Sequence, residues 1–402
     1  VPNRDSQSDF PSEIPPSQVQ PIAPVFVDYK KDMSQFEAQP GIDVLYKKNE
    51  TNDIFTLIYV FNTGTENDPA LNLAFNYLSY LGTDKMTAEE IASEMYDIAC
   101  SFYMNAGANQ SSIQITGLSE NMGKAMEIVE GLIAGAKPDE AILENCKADM
   151  LKSRADAKLN QSRCFGALQR YLFYGGDFIR RTTLTDPALQ ALTSEQLLAK
   201  LGGLMGKQHE VLYYGPQKEA EVKSALAEHH KVATDLQPLE KKFSTLLPTD
   251  ANKVVLAQYD AKQLYYLQFS NRGEKFDVAA DPEITLYNEY FGGGMNTIVF
   301  QEMREARGLA YTAWATLATP SNANGDYSYY AFIATQNDKM QKAVEAFDDI
   351  INNMPESEKA FGIAKEALVS RLRTERTVKD GVLWRYLRAR DLGLDAPRDQ
   401  QI

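Results

Sequence analysis

Two side chains with polar tips, Arg304 and Tyr311, stand seven positions apart at a helix–strand corner in the run FQEMREARGLAY (300–311). Met295, Ile298, Val299 and Met303 form an apolar stripe on the preceding helix, Arg304 lies off it, Gly308 ends the helix, and Tyr311 opens a strand. Such a corner can aim a guanidinium and a phenol at one point. The first offers five donors at any working pH and the second a neutral hydroxyl donor. A plain alternative stays open, since arginines in a last helical turn complement the dipole and tyrosines are common in strands. The run FGGGMNT (291–297) just before has neither the preceding strand nor the lysine of a phosphate loop. It is expected to make a sharp helix–helix turn with positive φ. A turn of that kind can also bring backbone amides near a peptide, so Gly293 is a candidate substrate contact.

Metal chemistry finds little support. The only histidines are His209, His229 and His230, and no two stand i, i+4 on a helix to share one ion. They are expected at the surface, with the adjacent His229 and His230 on different faces of one helix. Cys100, Cys146 and Cys164 are odd in number and unclustered, which fits ordinary thiols rather than a disulfide frame or metal knuckle. No G-x-S-x-G elbow or GxxxxGK[ST] loop occurs.

The elements that must position these residues come twice. Strands are expected at 43–49 and 54–62, a helix at 71–81, and a second at 87–99 opening with the capping box of Thr87 and Glu90. Strands at 101–106 and 111–117, helices at 120–135 and 138–160, and a strand at 210–215 follow. The second copy offers strands at 253–259 and 263–270, helices at 281–291 and 295–307, strands at 309–318 and 326–334, a helix at 338–353 and another from 356. GKAMEIVEGLI (123–133) lies over QKAVEAFDDII (341–351) at an offset of 218, and LKSR (151–154) over LVSR (368–371) at 217. This order argues for an α+β fold, an α/β sandwich built as a tandem duplication of two similar subdomains. Each would be a mostly antiparallel sheet covered by helices on one face. The expected division is a proline-rich tether at 1–25, a first subdomain at 26–235 and a second at 236–402. The abrupt end at Gln401 and Ile402 reads as a truncation.

A net charge of -14 argues against nucleic-acid or anionic-membrane binding, which needs a basic footprint. No apolar run has the length of a membrane span. A start at Val1 and a tether-like leader point to a periplasmic or envelope-associated protein.

GGGMNTIVFQEMREARGLAY resembles the C-terminal, non-catalytic half of pitrilysin/insulinase-type zinc peptidases, the inverzincins, and the resemblance extends from about 40 to 395. In that family two such halves close around a chamber. One carries HxxEH and a distal glutamate for zinc, and the other supplies Arg and Tyr that grip substrate carbonyls and the developing oxyanion. The segment LAFNYLSYLGT (73–83) resembles the family's HFLEHMLFxGT. The resemblance then sets Leu73 and Tyr77 at the histidine positions, Asn76 at the base position and Asp149 at the distal glutamate, a degenerate metal site. It implies that this chain binds no cofactor itself and that zinc sits in an HxxEH-bearing partner half, in the same polypeptide or a separate subunit. Arg304 and Tyr311 take the catalytic and substrate-binding roles, and Glu302, Arg307 and the glycines serve as scaffold. The implied substrates are unstructured peptides. The other reading is a non-enzymatic peptide-binding or scaffold subunit.

Overall fold

The computed structural model describes Glu13 and residues 20–402. Most of the proline-rich 1–25 stretch therefore lies outside the described residues. The described chain forms two compact units, 27–247 with 377–396, and 248–376 with 20–26 and 397–402. The crossing falls at Leu247/Pro248 rather than 235/236, and a late segment returns to the first unit.

In the first unit, β1 (Ser34–Gln39), β2 (Ile42–Lys48) and β3 (Ile54–Phe61) precede helices α1 (Leu71–Leu78) and α2 (Ala88–Asp97). Strands β4 (Cys100–Ala106) and β5 (Ser111–Leu118) follow, then α3 (Met122–Gly135), α4 (Glu140–Lys158), α5 (Gln161–Thr182), α6 (Asp186–Ala191) and α7 (Ser194–Met205). Strand β6 (His209–Gly215) and helix α8 (Glu219–His229) complete the stretch. The sheet order is β1-β2-β6-β3-β5-β4, antiparallel except where β2 meets β6. The β1–β2 hairpin turns at Pro40–Gly41, where Gly41 takes φ +87°, the pairing a tight turn favours.

One sheet face carries Val44, Phe55, Leu57, Tyr59, Ile115 and Tyr213 against the helices. Fully burying each such side chain contributes roughly 1.5–3 kcal/mol. On the other face, Leu45, Ile58, Val60 and Leu212 are covered by Val382, Leu383 and Leu387 of a late helix. The cover is thus one full helical layer and, on the other face, this returning helix with Val27, Tyr29 and Met33 of the segment before β1. Strand β6 is buried along its whole length, which its unbroken apolar centre VLYY already reflects.

The second unit has β7 (Gln263–Ser270), α9 (Asp281–Tyr287), α10 (Ile298–Phe300), β8 (Thr312–Ala318), β9 (Ser328–Gln336), α11 (Met340–Asn352) and α12 (Glu358–Thr374). Helix α13 (Gly381–Asp391) is the element that returns to the first unit, where Arg390 grips Glu210 and Lys241 pairs with Asp391 at 2.6 Å. Helices α9 and α10 run on as wider π turns over Asn288–Gly292 and Gln301–Ala306.

The duplication is visible in the topology. Strand, helix pair, two strands, helix and long helix recur in order, and β3-β5-β4 matches β7-β9-β8. The copies differ at their margins. Residues 253–259 form no strand, with Val254 at 93% and Leu256 at 80% exposure. A β-branched composition makes a strand only where a neighbouring ladder accepts it.

Candidate functional site

Helix α10 is anchored by Ile298, Val299 and Met303, all buried against β8 and α11. Met295, expected on the same stripe, is instead exposed before the helix begins. The helix closes at Gly308, φ +57°, where the amides of Leu309 and Ala310 both donate to the Met303 carbonyl at 2.9 and 3.3 Å. The Tyr311 amide then donates to the Ala334 carbonyl at 3.1 Å, which fixes the mouth of β8.

With Met303 facing inward, Arg304 faces outward. Its guanidinium carbon lies 5.0 Å from the Tyr311 ring centroid and 4.9 Å from that of Phe300. The corner therefore brings the two sequence-selected residues together, through a ring–cation contact worth about 0.5–1 kcal/mol at an exposed site. Tyr311 is 70% exposed. Among the described residues, the one ion pair of Arg304 is to the neighbouring Glu305, at 3.5 Å and half-exposed, a weak tie that leaves its donors largely to solvent. Arg307 turns away to Glu302 and Asp349.

The glycine run differs from expectation. None of Gly292–Gly294 adopts positive φ. What requires glycine is close approach. A Cβ on Gly292 would stand 3.0 Å from the Ala315 carbonyl oxygen, and one on Gly293 3.2 Å from the Trp314 Cβ. Gly293 itself faces solvent at the end of the turn.

In the first unit, Leu73 and Tyr77 point into the core from α1 while Asn76 faces outward. Tyr77 is fully buried. Its hydroxyl accepts the Asp139 amide proton at 2.8 Å and lies 2.8 Å from the Ser194 hydroxyl. It thereby ties α1 to the start of α4 and of α7. Asp149 is not brought to this place. Leu143, Cys146 and Lys147 form the inward face of α4, and Asp149 lies exposed, lining a shallow surface pocket with Lys152, Asp156 and Arg163. An aliphatic chain, an outward amide and a hydrogen-bonded phenol do not fit a zinc ion. Among the described residues, no group of three or more His, Cys, Asp or Glu side chains could hold a metal.

Two of the three histidines are not at the surface. His209 on β6 and His230 after α8 are buried, at 3% and 6% exposure. His209 Nδ1 lies 2.8 Å from the Lys207 carbonyl oxygen, and His209 Nε2 lies 2.9 Å from His230 Nε2. His230 Nδ1 lies 2.7 Å from Glu130 Oε1. Glu130 also accepts from the Tyr59 hydroxyl and the Lys231 amide, each at 2.7 Å. Burial, then the charge of His230, pushes His209 down to about 4. His229 is mostly covered and pairs with Glu127 at 2.9 Å. No local signal in the sequence reveals this chain, because Glu130 and His230 are a hundred residues apart.

Comparison with known proteins accords with this architecture. Residues 208–368 match the family model for the peptidase M16 inactive domain. An uncharacterized zinc protease of Streptomyces coelicolor is 22% identical over 61% of this chain, and the match spans 56% of that protein's length. One from Rickettsia bellii is 23% identical over 86% of this chain and 82% of its own. The peptidase M16 inactive domain from Pseudomonas fluorescens superimposes with TM-score 0.68 at 16% identity, covering 90% of this chain and 88% of that one. The periplasmic protease PqqL of Escherichia coli gives TM-score 0.69 at 12% identity over 99% of this chain but 44% of its own. Residues 208–368 thus match the peptidase M16 inactive domain, and over 90% of the chain the fold is that of the Pseudomonas fluorescens inactive domain.

Proposed function

We propose that this chain is the metal-free half of a zinc metalloendopeptidase acting on unstructured peptides. The observation that carries the proposal is a contrast within one chain. The positions resembling the zinc motif are filled by Leu73, Asn76 and Tyr77, while Arg304 and Tyr311 stand in contact with their polar tips toward solvent.

In this reading zinc and the water-activating glutamate belong to an HxxEH-bearing partner half, within the same polypeptide or as a separate subunit. The Arg304 guanidinium donates to a peptide carbonyl and, as tetrahedral geometry develops, to the oxyanion. The Tyr311 hydroxyl donates a second hydrogen bond and keeps its proton. The exposed Gly293 backbone offers a further contact for an extended peptide. Donors aimed at developing charge typically supply about 10²–10³-fold each. A periplasmic or envelope location fits the proposal, as one structural relative is a periplasmic protease. Among the described residues no helix is long and apolar enough to cross a membrane.

The test is reconstitution, mixed or fused, with an HxxEH-bearing half encoded upstream of or beside this chain, using a quenched unstructured peptide as substrate. Arg304→Ala or Tyr311→Phe is expected to lower kcat/KM by about tenfold or more with the fold retained. Rates unchanged in both variants would remove the assigned role. Peptide binding without hydrolysis would favour the scaffold reading.

A further inference from the structure

We infer that Glu130, His230 and His209 form an acid-operated latch at the root of the segment 231–247, through which the chain leaves its first unit.

The argument is a count of protons. Three links join the chain end to end: Lys207 carbonyl to His209 Nδ1, His209 Nε2 to His230 Nε2, and His230 Nδ1 to Glu130 Oε1. Each link is a hydrogen bond only if it holds one proton. A carbonyl can only accept, so His209 Nδ1 carries the first. Two ring nitrogens at 2.9 Å need a single proton between them, whichever ring bears it. The third lies between imidazole and carboxylate. Three protons over two imidazoles and one carboxyl give zero net charge, the only state that suits a site this dry. Of the carboxylate's other lone pairs, Oε1 takes the Tyr59 hydroxyl and Oε2 the Lys231 amide, and the one left on Oε2 meets no acceptor among the described residues.

A fourth proton has no place. It sets N–H against N–H at the histidine–histidine link, or creates a carboxyl hydrogen without an acceptor. In either case it adds a positive charge in a buried site. The groups that face His209 offer no compensation. From β3 come the Tyr59 and Phe61 rings, from α3 Glu130, which is already engaged, and from the end of α8 His230. Glu210, next along β6, belongs to the opposite sheet face and is held by Arg390. The depressed pKa of His209 agrees with this geometry.

Protonation is relieved only by letting His230 and its neighbour move out to water. Lys231 hangs on Glu130 by its amide, and the segment beyond runs along the first unit. There Gln237 bonds to the Gly206 carbonyl at 3.0 Å and receives the Gln208 amide at 2.8 Å. The Leu247 amide closes the run on the Phe173 carbonyl at 2.7 Å. Opening the latch frees the first of these anchors and exposes Leu236, now buried.

The experiment is amide exchange on the full chain, corrected for intrinsic rates, at pH 7.5 and 5.0. With His209 titrating at about 4 when closed and about 6.5 when open, the opening constant of the Gln208 and Gln237 amides should rise about 30-fold. The amides of β3 should rise less. In His209→Gln the rise should fall to about threefold or less. If that variant does not fold, ¹⁵N-imidazole NMR of the unaltered protein should show His209 gaining a second proton in step with the opening. Equal opening at β3 and in 231–247 would mean global unfolding and overturn the latch. So would a flat response to pH, or an unchanged response in His209→Gln.

Discussion

Replacing Tyr77 by Phe isolates what holds α1 to the starts of α4 and α7. The ring stays in place, so no cavity forms and the change is one hydroxyl. That hydroxyl serves the Asp139 amide and the Ser194 hydroxyl, and both Tyr77 and Ser194 are fully buried. A buried donor left unpaired costs about 1–3 kcal/mol. Ser194 can turn its own proton elsewhere but the amide cannot, so about 2 kcal/mol is expected. At roughly 2.1 cal/mol/K per residue, the unit containing residues 27–247 and 377–396 should melt about 4 °C lower. Its unfolding can be followed alone, because the chain has two tryptophans, Trp384 in this unit and Trp314 in the other. A Trp314→Phe background leaves only the wanted signal for urea titration and thermal melts. A loss below about 0.5 kcal/mol would refute the claim that the Tyr77 phenol ties α1 to α4 and α7, since it would lie under the cost of a buried unpaired amide.

Acid should destabilise the first unit through the same histidine that the latch uses. The folded pKa of His209, about 4, lies below its unfolded value near 6.5, so the unfolded chain takes up the proton first as pH falls. Stability is therefore full above about pH 7 and is lost between pH 6.5 and 4, by about 3 kcal/mol. Urea midpoints read by Trp384 across that range check it, and a midpoint independent of pH would contradict the burial argument. Among the glycines, Gly292→Ala should cost about 1–2 kcal/mol in the second unit, because its Cβ would press on the Ala315 carbonyl oxygen. Gly131→Ala, on an exposed turn of α3 with nothing within 4 Å, should stabilise the first unit by about 0.5–1 kcal/mol.

Helices and repeats were the legible part of the fold. An apolar stripe at helical spacing needs no knowledge of its partner, so α3 and α11 could be placed and overlaid from sequence. Strands depended on neighbours. The weakly alternating SQFEAQ of β1 pairs because the Pro40–Gly41 turn folds it back on β2, while the more apolar VVLAQ near 254–258 finds no ladder and stays exposed. Arg304 and Tyr311 could be read as neighbours from sequence because a helix end and a strand start are local events. Asp149 was placed by the family resemblance, and rotation about the α4 axis carries its carboxylate outward.

The sequence by itself determined the duplicated α+β plan, the absence of an HxxEH motif, and the corner that places a guanidinium beside a phenol. These rest on periodicity, residue chemistry and short spacing. Only the tertiary structure decided which polar groups are buried. It took His209 and His230 off the surface, gave Tyr77 its two partners, and replaced positive φ in the glycine run by close backbone approach. Burial is a property of elements distant in sequence meeting face to face, so no window along the chain contains it.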